Sequence, residues 1–474
     1  MHQISMKQTR FVQVLIVSIF LVFGMAIGLQ QLSAQPKMTL SRIPLEDKLY
    51  EPAGMAFRPN QSNQLWVVNH GNDSIATLTN LGESNLEVSV KSDAYAEHFL
   101  AKPTGIAFGY DDTFAVSNDS INELRGMNFI KNPERNKNFV NNHFMGPTLF
   151  SASTYALAGQ TKKYLEDWPQ PGNGHDPDRD LTLSQGCPLT YWNSSVQQCY
   201  WPREGSHLDM LHESPLAMGI AHDKGNAYFL LDGCGSRDSN KQCLGNGHLM
   251  RYDFNRDHQE GNGFHGDGIV WRYPEIDFKR DKDIPSGMLV LDDWLYFSNT
   301  GMGKVERIAT TEGNVQTIVK SWSDQYDKEQ VGTGIISWED VKSVSMDGDE
   351  PEAISNWVRT HGDLAKIAEL GQAWIPPMEV LAEYSYVYNV PQETFISENW
   401  LDKPSGLASD GKSLFVADYS SGWIAAFDLK TAKLEWRYQS KLNSISGLAF
   451  NPNKSHELYI SDRDTNSLYQ LKWN

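Results

Sequence analysis

The chain has 474 residues and a formal charge of −18, from 41 Lys and Arg against 59 Asp and Glu. Apolar residues at 40% and charged residues at 21% make a globular rather than a disordered composition. So acidic a chain argues against nucleic acid as a partner and against general adhesion to anionic lipid, since both need basic surface.

The first 34 residues read as a targeting segment. Lys7 and Arg10 precede an uncharged apolar run over 11–29, and the small residues Ser33 and Ala34 follow. That is the order of a secretory signal, with cleavage expected after Ala34. The competing reading is an uncleaved anchor, because the run is just long enough to span a bilayer. In both cases residues 35–474 are expected outside the cytoplasm, periplasmic or secreted, with membrane attachment only if the segment is retained.

A pattern then recurs six times: a small residue and Gly, an apolar triplet, a polar turn, an apolar strand, and Asn or Asp. Its glycines are Gly54, Gly105, Gly219, Gly287, Gly406 and Gly447, and its closing residues are Asn69, Asn118, Asp232, Asn299, Asp418 and Asp462. Each copy predicts two short strands joined by a turn. Third strands are expected at 74–80, 248–254, 304–310, 423–429 and 467–473. Fourth strands are expected at 86–92, 268–275, 315–321 and 434–440. Four strands per repeat is the blade of a β-propeller. The last copy has only three, so 38–44 (MTLSRIP) is expected to complete it and close the ring.

The propeller is expected to occupy 38–474 as one domain. Two long intervals between repeat glycines are read as insertions at about 119–213 and 322–400, the second with a helical-looking segment over 350–370. If they hide degenerate blades, the count becomes eight. The first insertion and the third repeat carry the cysteines, Cys187, Cys199, Cys234 and Cys243. An oxidising compartment favours two local disulfides, 187 with 199 and 234 with 243. A four-cysteine zinc site is the alternative, but the spacings lack a CxxC pattern.

Six histidines lie in 207–265 among interleaved acids, including Asp209, Glu213, Asp257, Glu260 and Asp267. Imidazole with carboxylate is the donor set of zinc, copper and iron sites. His207, His212, His258 and His265 are the candidate ligands, and Glu213 or Asp257 the candidate base. The stretch 206–214 is read as a loop leading to the channel mouth. Calcium is a weaker option for 257–267, whose spacing matches no EF-hand. Loop histidines that merely pair with nearby carboxylates are the plainer reading. His70, in NHGND, either faces the channel or completes an Asn turn, with the turn the favoured reading. His143 is a weaker candidate still.

The motif P-x-G-[ILM]-A followed by L-[YFW]-V-[AS]-[DN] resembles the NHL family of propellers over roughly residues 50–474. The resemblance implies an all-β, six-bladed propeller and leaves function open, because such propellers include binding modules and enzymes. Six-bladed lyases and lactonases of similar fold place metal ligands immediately before the blade glycine. Here those positions hold Ala53, Thr104, Met218, Ser286, Ser405 and Ser446, none a strong ligand. GxSxG, HExxH and P-loop motifs are absent. The sequence therefore points to a monomeric scaffold binding a small molecule, glycan or protein, with one divalent metal as a candidate cofactor. A metal-dependent lyase, hydrolase or oxidoreductase with a His-rich site at the channel mouth is the alternative.

Overall fold

The structure, a computed structural model, describes residues 36–120, 145–155, 206–233, 246–256, 258, 267–320 and 381–474, less 46, 62, 94 and 95. Four two-residue strands between 183 and 199 are also described. The targeting segment, the pairing of the four cysteines and the 350–370 stretch lie outside these residues, as do His143, Asp257, Glu260 and His265.

The described strands form six antiparallel blades in a ring. Blade 1 is Pro52–Phe57, Leu65–Asn69, Ser74–Thr79 and Glu87–Lys91. Its second strand, LWVVN, is buried throughout, because both of its faces meet neighbouring sheets. Its fourth strand, EVSVK, alternates exposed and half-buried residues, the period-two pattern of an outer edge. Blade 5 (Pro404–Ser409, Ser413–Asp418, Trp423–Asp428, Leu434–Gln439) repeats that plan.

Blade 6 consists of Ile445–Phe450, Glu457–Asp462 and Ser467–Trp473, and Met38–Ile43 completes it. The N-terminal strand runs antiparallel to the C-terminal one, from Met38 opposite Trp473 to Ile43 opposite Leu468. This is the closure expected from MTLSRIP. It leaves the last repeat without an open edge.

The apolar core is distributed over the six seams between blades. Met55, Leu65 and Val67 of blade 1 pack with Tyr459 and Leu468 of blade 6. Trp66 and Val68 on the same strand pack with Phe114 and Phe150 of blade 2. Each second strand thus serves two seams with alternate side chains, which is why repeats stack but cannot stand alone.

Five strands depart from the sequence reading. Blade 2 takes Pro103–Phe108 and Thr113–Asn118 from its repeat, then Thr148–Ser151 and His207–Met210 from within 119–213. Residues 207–210, expected in a loop, are therefore the outermost strand of blade 2. The segment expected as the fourth strand of blade 4 pairs elsewhere. Asn314–Lys320 lies antiparallel to Glu383–Tyr388, which runs parallel to the outer strand Ile269–Phe278 of blade 3. Blade 3 (Ala217–His222, Ala227–Asp232, Gly247–Asp253, Ile269–Phe278) thereby becomes six-stranded.

Blade 4 (Met288–Leu291, Trp294–Asn299, Lys304–Ala309) takes Gln392–Ile396 as its fourth strand. An alternating segment such as VQTIVK fits any open edge, so its pattern does not say which edge it joins. The two long intervals supply outer strands to blades 2, 3 and 4. Among the described residues they add no seventh or eighth blade. No helix among the described residues is long and apolar enough to cross a membrane.

Candidate functional site

The repeat glycines sit where neighbouring inner strands meet. A Cβ on Gly219 would lie 2.1 Å from the Ser286 carbonyl oxygen, one on Gly287 2.3 Å from the Leu407 nitrogen, and one on Gly447 2.4 Å from the Ala53 carbonyl oxygen. The residue before each glycine reinforces the contact. Thr104 Oγ1 donates to the Ala217 carbonyl at 2.8 Å, Ser405 Oγ to Ile445 at 2.5 Å, and Ser446 Oγ to Pro52 at 2.5 Å. None of Ala53, Thr104, Met218, Ser286, Ser405 and Ser446 is more than 3% exposed. The positions that hold metal ligands in the resembling enzymes are here a buried collar, four of them hydroxyl residues, that joins neighbouring inner strands.

The closing Asn or Asp of each repeat is buried and binds a nearby chain segment. Asn69 accepts from the Tyr50 nitrogen, Asn299 from the Lys279 nitrogen, and Asp418 from the nitrogens of Asp402 and Lys403. These are the connections entering the inner strands. Burial works against the Asp418 charge, but its hydrogen bonds with Ser421, Asp402 and Lys403 hold the carboxyl below the usual range.

The next residue in each repeat comes to the same end of the channel: His70, Asp119, Gly233, Thr300, Tyr419 and Arg463. Five of them donate their backbone N–H to the carbonyl of an incoming connection, at Glu51, Lys102, Leu216, Lys403 and Ser444. Glu51, Lys102 and Leu216 turn the chain into the inner strand with left-handed backbones, at φ 46°, 48° and 62°.

Above the collar, three of these side chains from blades 1, 2 and 6 converge. Arg463 donates to His70 Nδ1 at 2.9 Å and to Glu51 Oε2 at 2.8 Å. Because arginine only donates, His70 accepts at Nδ1 and carries its proton at Nε2. Among the described residues that buried Nε2 has no hydrogen-bond acceptor in reach, and Asp119 Oδ2 lies 3.9 Å away. Asp119 is held by Arg280 through two bonds of 3.0 Å.

Arg280 belongs to the connection between blades 3 and 4, which also sends Asp283 to Arg463 at 2.9 Å. Burial raises the affinity of Asp119 for a proton, but His70 and Arg280 outweigh it and the carboxyl stays low. The hydrogen bond from Arg463 does the same for Glu51. The floor of this mouth is ionic and buried. Its rim is acidic and open, with Glu51 at 52% and Asp283 at 55% side-chain exposure.

The sequence-selected histidines lie elsewhere. His207 is buried on the outer strand of blade 2, stacked on Phe99 with ring centroids 3.6 Å apart. His212 and Glu213 are buried in the connection from blade 2 to blade 3, where the Glu213 carbonyl accepts from Arg272. His258 lies between the third and fourth strands of blade 3. Its Nε2 is 2.9 Å from Asp267 Oδ1 and 3.6 Å from Asp209 Oδ2.

Asp209, His258 and Asp267 are the one group of three metal-capable side chains among the described residues, with donor atoms within 4.8 Å of one another. His207 and His212 are not in it. Asp209 is on the outermost strand of blade 2, so the group sits at the periphery of the seam between blades 2 and 3, away from the channel mouth where the sequence had put the His-rich site.

No protein-family model matches the chain, and a search of curated proteins finds no match. Solved structures of propeller proteins do resemble it. A luciferin-regenerating enzyme shares 10% identity with a TM-score of 0.43, covering 92% of this chain and 95% of its own. A streptogramin B lyase shares 10% at 0.38, covering 92% and 98%. The PQQ-bound aldose sugar dehydrogenase of Streptomyces coelicolor shares 12% at 0.41, covering 93% and 100%. Likeness at this level concerns fold alone.

The mouth residues were readable as a column in the repeat, one place past each closing Asn or Asp. The sequence reading took the column before each glycine instead. His70, read in favour of a turn over a place facing the channel, is a member of the mouth cluster, and nothing but their place in the repeat marks Asp119 and Arg463.

Proposed function

We propose that the protein is an extracytoplasmic binding scaffold that engages its ligand or partner at the mouth of the propeller. One observation supports this reading above the rest. His70, Asp119, Arg280 and Arg463, from blades 1, 2 and 6 and the connection between blades 3 and 4, converge at the channel end where the chain enters the inner strands. A polar, buried floor with an acidic rim suits a ligand that binds by hydrogen bonds. His70 Nε2–H is a buried donor that an incoming carbonyl, hydroxyl or carboxylate oxygen would satisfy.

The test is a thermal-shift panel of sugars, amino acids, organic acids and nucleosides on the wild type and on His70→Asn and Asp283→Ala. A compound class that raises the wild-type Tm should act at least tenfold more weakly on both variants. Binding left unchanged by both would move the ligand away from the mouth. A metal-dependent lyase, hydrolase or oxidoreductase is the second reading. It is favoured by the mixed imidazole–carboxylate set of Asp209, His258 and Asp267, with Glu213 and Asp257 as candidate bases.

A further inference from the structure

We propose that the seam between blades 2 and 3 binds one divalent cation of the zinc, manganese or iron type through Asp209, His258 and Asp267. The site is built from two elements that meet only in the folded ring. Asp209 stands on the outer strand of blade 2, opposite Leu149. His258 and Asp267 stand in the connection that leads to the outer strand of blade 3. Leu211 and Gly268 bring the two together. A Cβ on Gly268 would lie 2.4 Å from Leu211 Cδ2, so the Leu211 side chain packs directly on the backbone at 268.

The chemistry follows from one ring nitrogen. His258 Nε2 faces two carboxylate oxygens, Asp267 Oδ1 at 2.9 Å and Asp209 Oδ2 at 3.6 Å. A neutral imidazole has one proton to give and can satisfy only one of them. Both carboxylates are buried, Asp209 at 0% and Asp267 at 1% exposure. Arg256 holds the other oxygen of Asp267 at 3.1 Å. The imidazole thus stands between two buried carboxylate groups, with all three donor atoms within 4.8 Å of one another.

A divalent ion between the three donor atoms would take both carboxylates as ligands, with His258 ligating through an unprotonated Nε2. One nitrogen and two carboxylate oxygens suit zinc, manganese or iron(II). Calcium asks for six to eight oxygens. Three protein ligands leave a position for water or an external donor. The ion would also tie blade 2 to blade 3 at the rim of the molecule. This site is independent of the channel mouth, and its failure leaves the binding reading as it stands.

The competing occupant is a proton: an imidazolium between two carboxylates has the same charge logic. The full-length chain, expressed without a histidine tag and stripped with EDTA, separates the two. It is titrated at neutral pH with Zn2+, Mn2+ or Ca2+ alone by calorimetry, with metal content and Tm read on the same samples. Asp209→Asn, His258→Gln and the control His222→Gln are run beside it. His222 ends the inner strand of blade 3, away from the three ligands, bonded to the Gly225 carbonyl.

The expected result is one equivalent of Zn2+ or Mn2+, with Tm raised by about 3 °C at hundredfold excess over Kd. Affinity should fall at least tenfold in Asp209→Asn and in His258→Gln and be kept in His222→Gln. Wild type that takes up no metal overturns the proposal in favour of the proton. So does uptake undiminished in Asp209→Asn and His258→Gln. Circular dichroism certifies that each variant is folded, and the wild-type titration decides even if one is not.

Discussion

Arg272 shows what a single charge costs and contributes inside this ring. It is 1% exposed. It donates to Asp232 at 3.1 Å, to the Tyr384 hydroxyl at 3.0 Å and to His248 Nδ1 at 3.2 Å. Removing one partner of such a buried pair strands the other. Arg272→Leu should therefore lose about 3–5 kcal/mol in urea unfolding, by leaving Asp232 buried without its counter-charge. Lysine should not restore it, because one ammonium cannot reach three acceptors in a fork geometry.

His248 adds a pH dependence at the same place. Burial first, and Arg272 second, lower its pKa to about 3. The unfolded chain binds a proton near pH 6.5 and the folded chain does not. Stability from this group is thus complete above pH 6.5 and falls as pH drops from 6.5 towards 3, by up to about 1.4 kcal/mol per pH unit. His248→Asn keeps an acceptor for Arg272 without titrating. Its unfolding free energy should decline less than the wild type's between pH 7 and pH 4. An equal decline in both would remove His248 from the acid limb.

At the scale of the element, the inner strands carry the repeat signature and explain it. Gly219 has the Ser286 carbonyl 2.1 Å from its missing Cβ, whereas Gly225, in a turn at φ +54°, has nothing within 4 Å. Gly225→Ala should cost about 1–2 kcal/mol, the price of a left-handed alanine. Gly219→Ala should cost about 3 kcal/mol or more, because two backbones must separate. Denaturant midpoints of the pair check the collar, and equal costs would contradict it.

The outer strands were far less legible than the inner ones. PAGMAF, PSGLAS and ISGLAF announce themselves by glycine and apolar runs. HLDM at 207–210 is only four residues set among turn residues that read as a loop, and its partner at 148–151 is 56 residues upstream. Asn314–Lys320 has a good strand pattern but joins blade 3 rather than blade 4, since edge pairing depends on which strand lies next to it in space.

At the scale of the whole molecule, ring closure is the decisive contact. Met38–Ile43 pairs with Ser467–Trp473 across the full length of the chain. A chain beginning at residue 44 would leave Leu471 and Trp473 on an open edge. It should melt at lower temperature than the chain beginning at residue 35, and it should associate on size exclusion as concentration rises. A truncated chain that stays monomeric with an unchanged Tm would show that closure contributes nothing. The expected cleavage after Ala34 leaves this strand intact.

The repeat, its strand pairs and the closing strand were determined by the sequence alone, because they rest on local periodicity and on glycines that recur at one place in each copy. The six-bladed count followed from them. The tertiary structure decided everything that depends on meeting across blades. It put the residues before each glycine into buried contacts between neighbouring inner strands, and it drew the residues past each closing Asn or Asp into the mouth. It also brought Asp209 to His258 and Asp267 across a seam. The physical reason is that periodicity reports which face of a strand is buried, whereas side chains in different blades are joined only by the curvature of the ring.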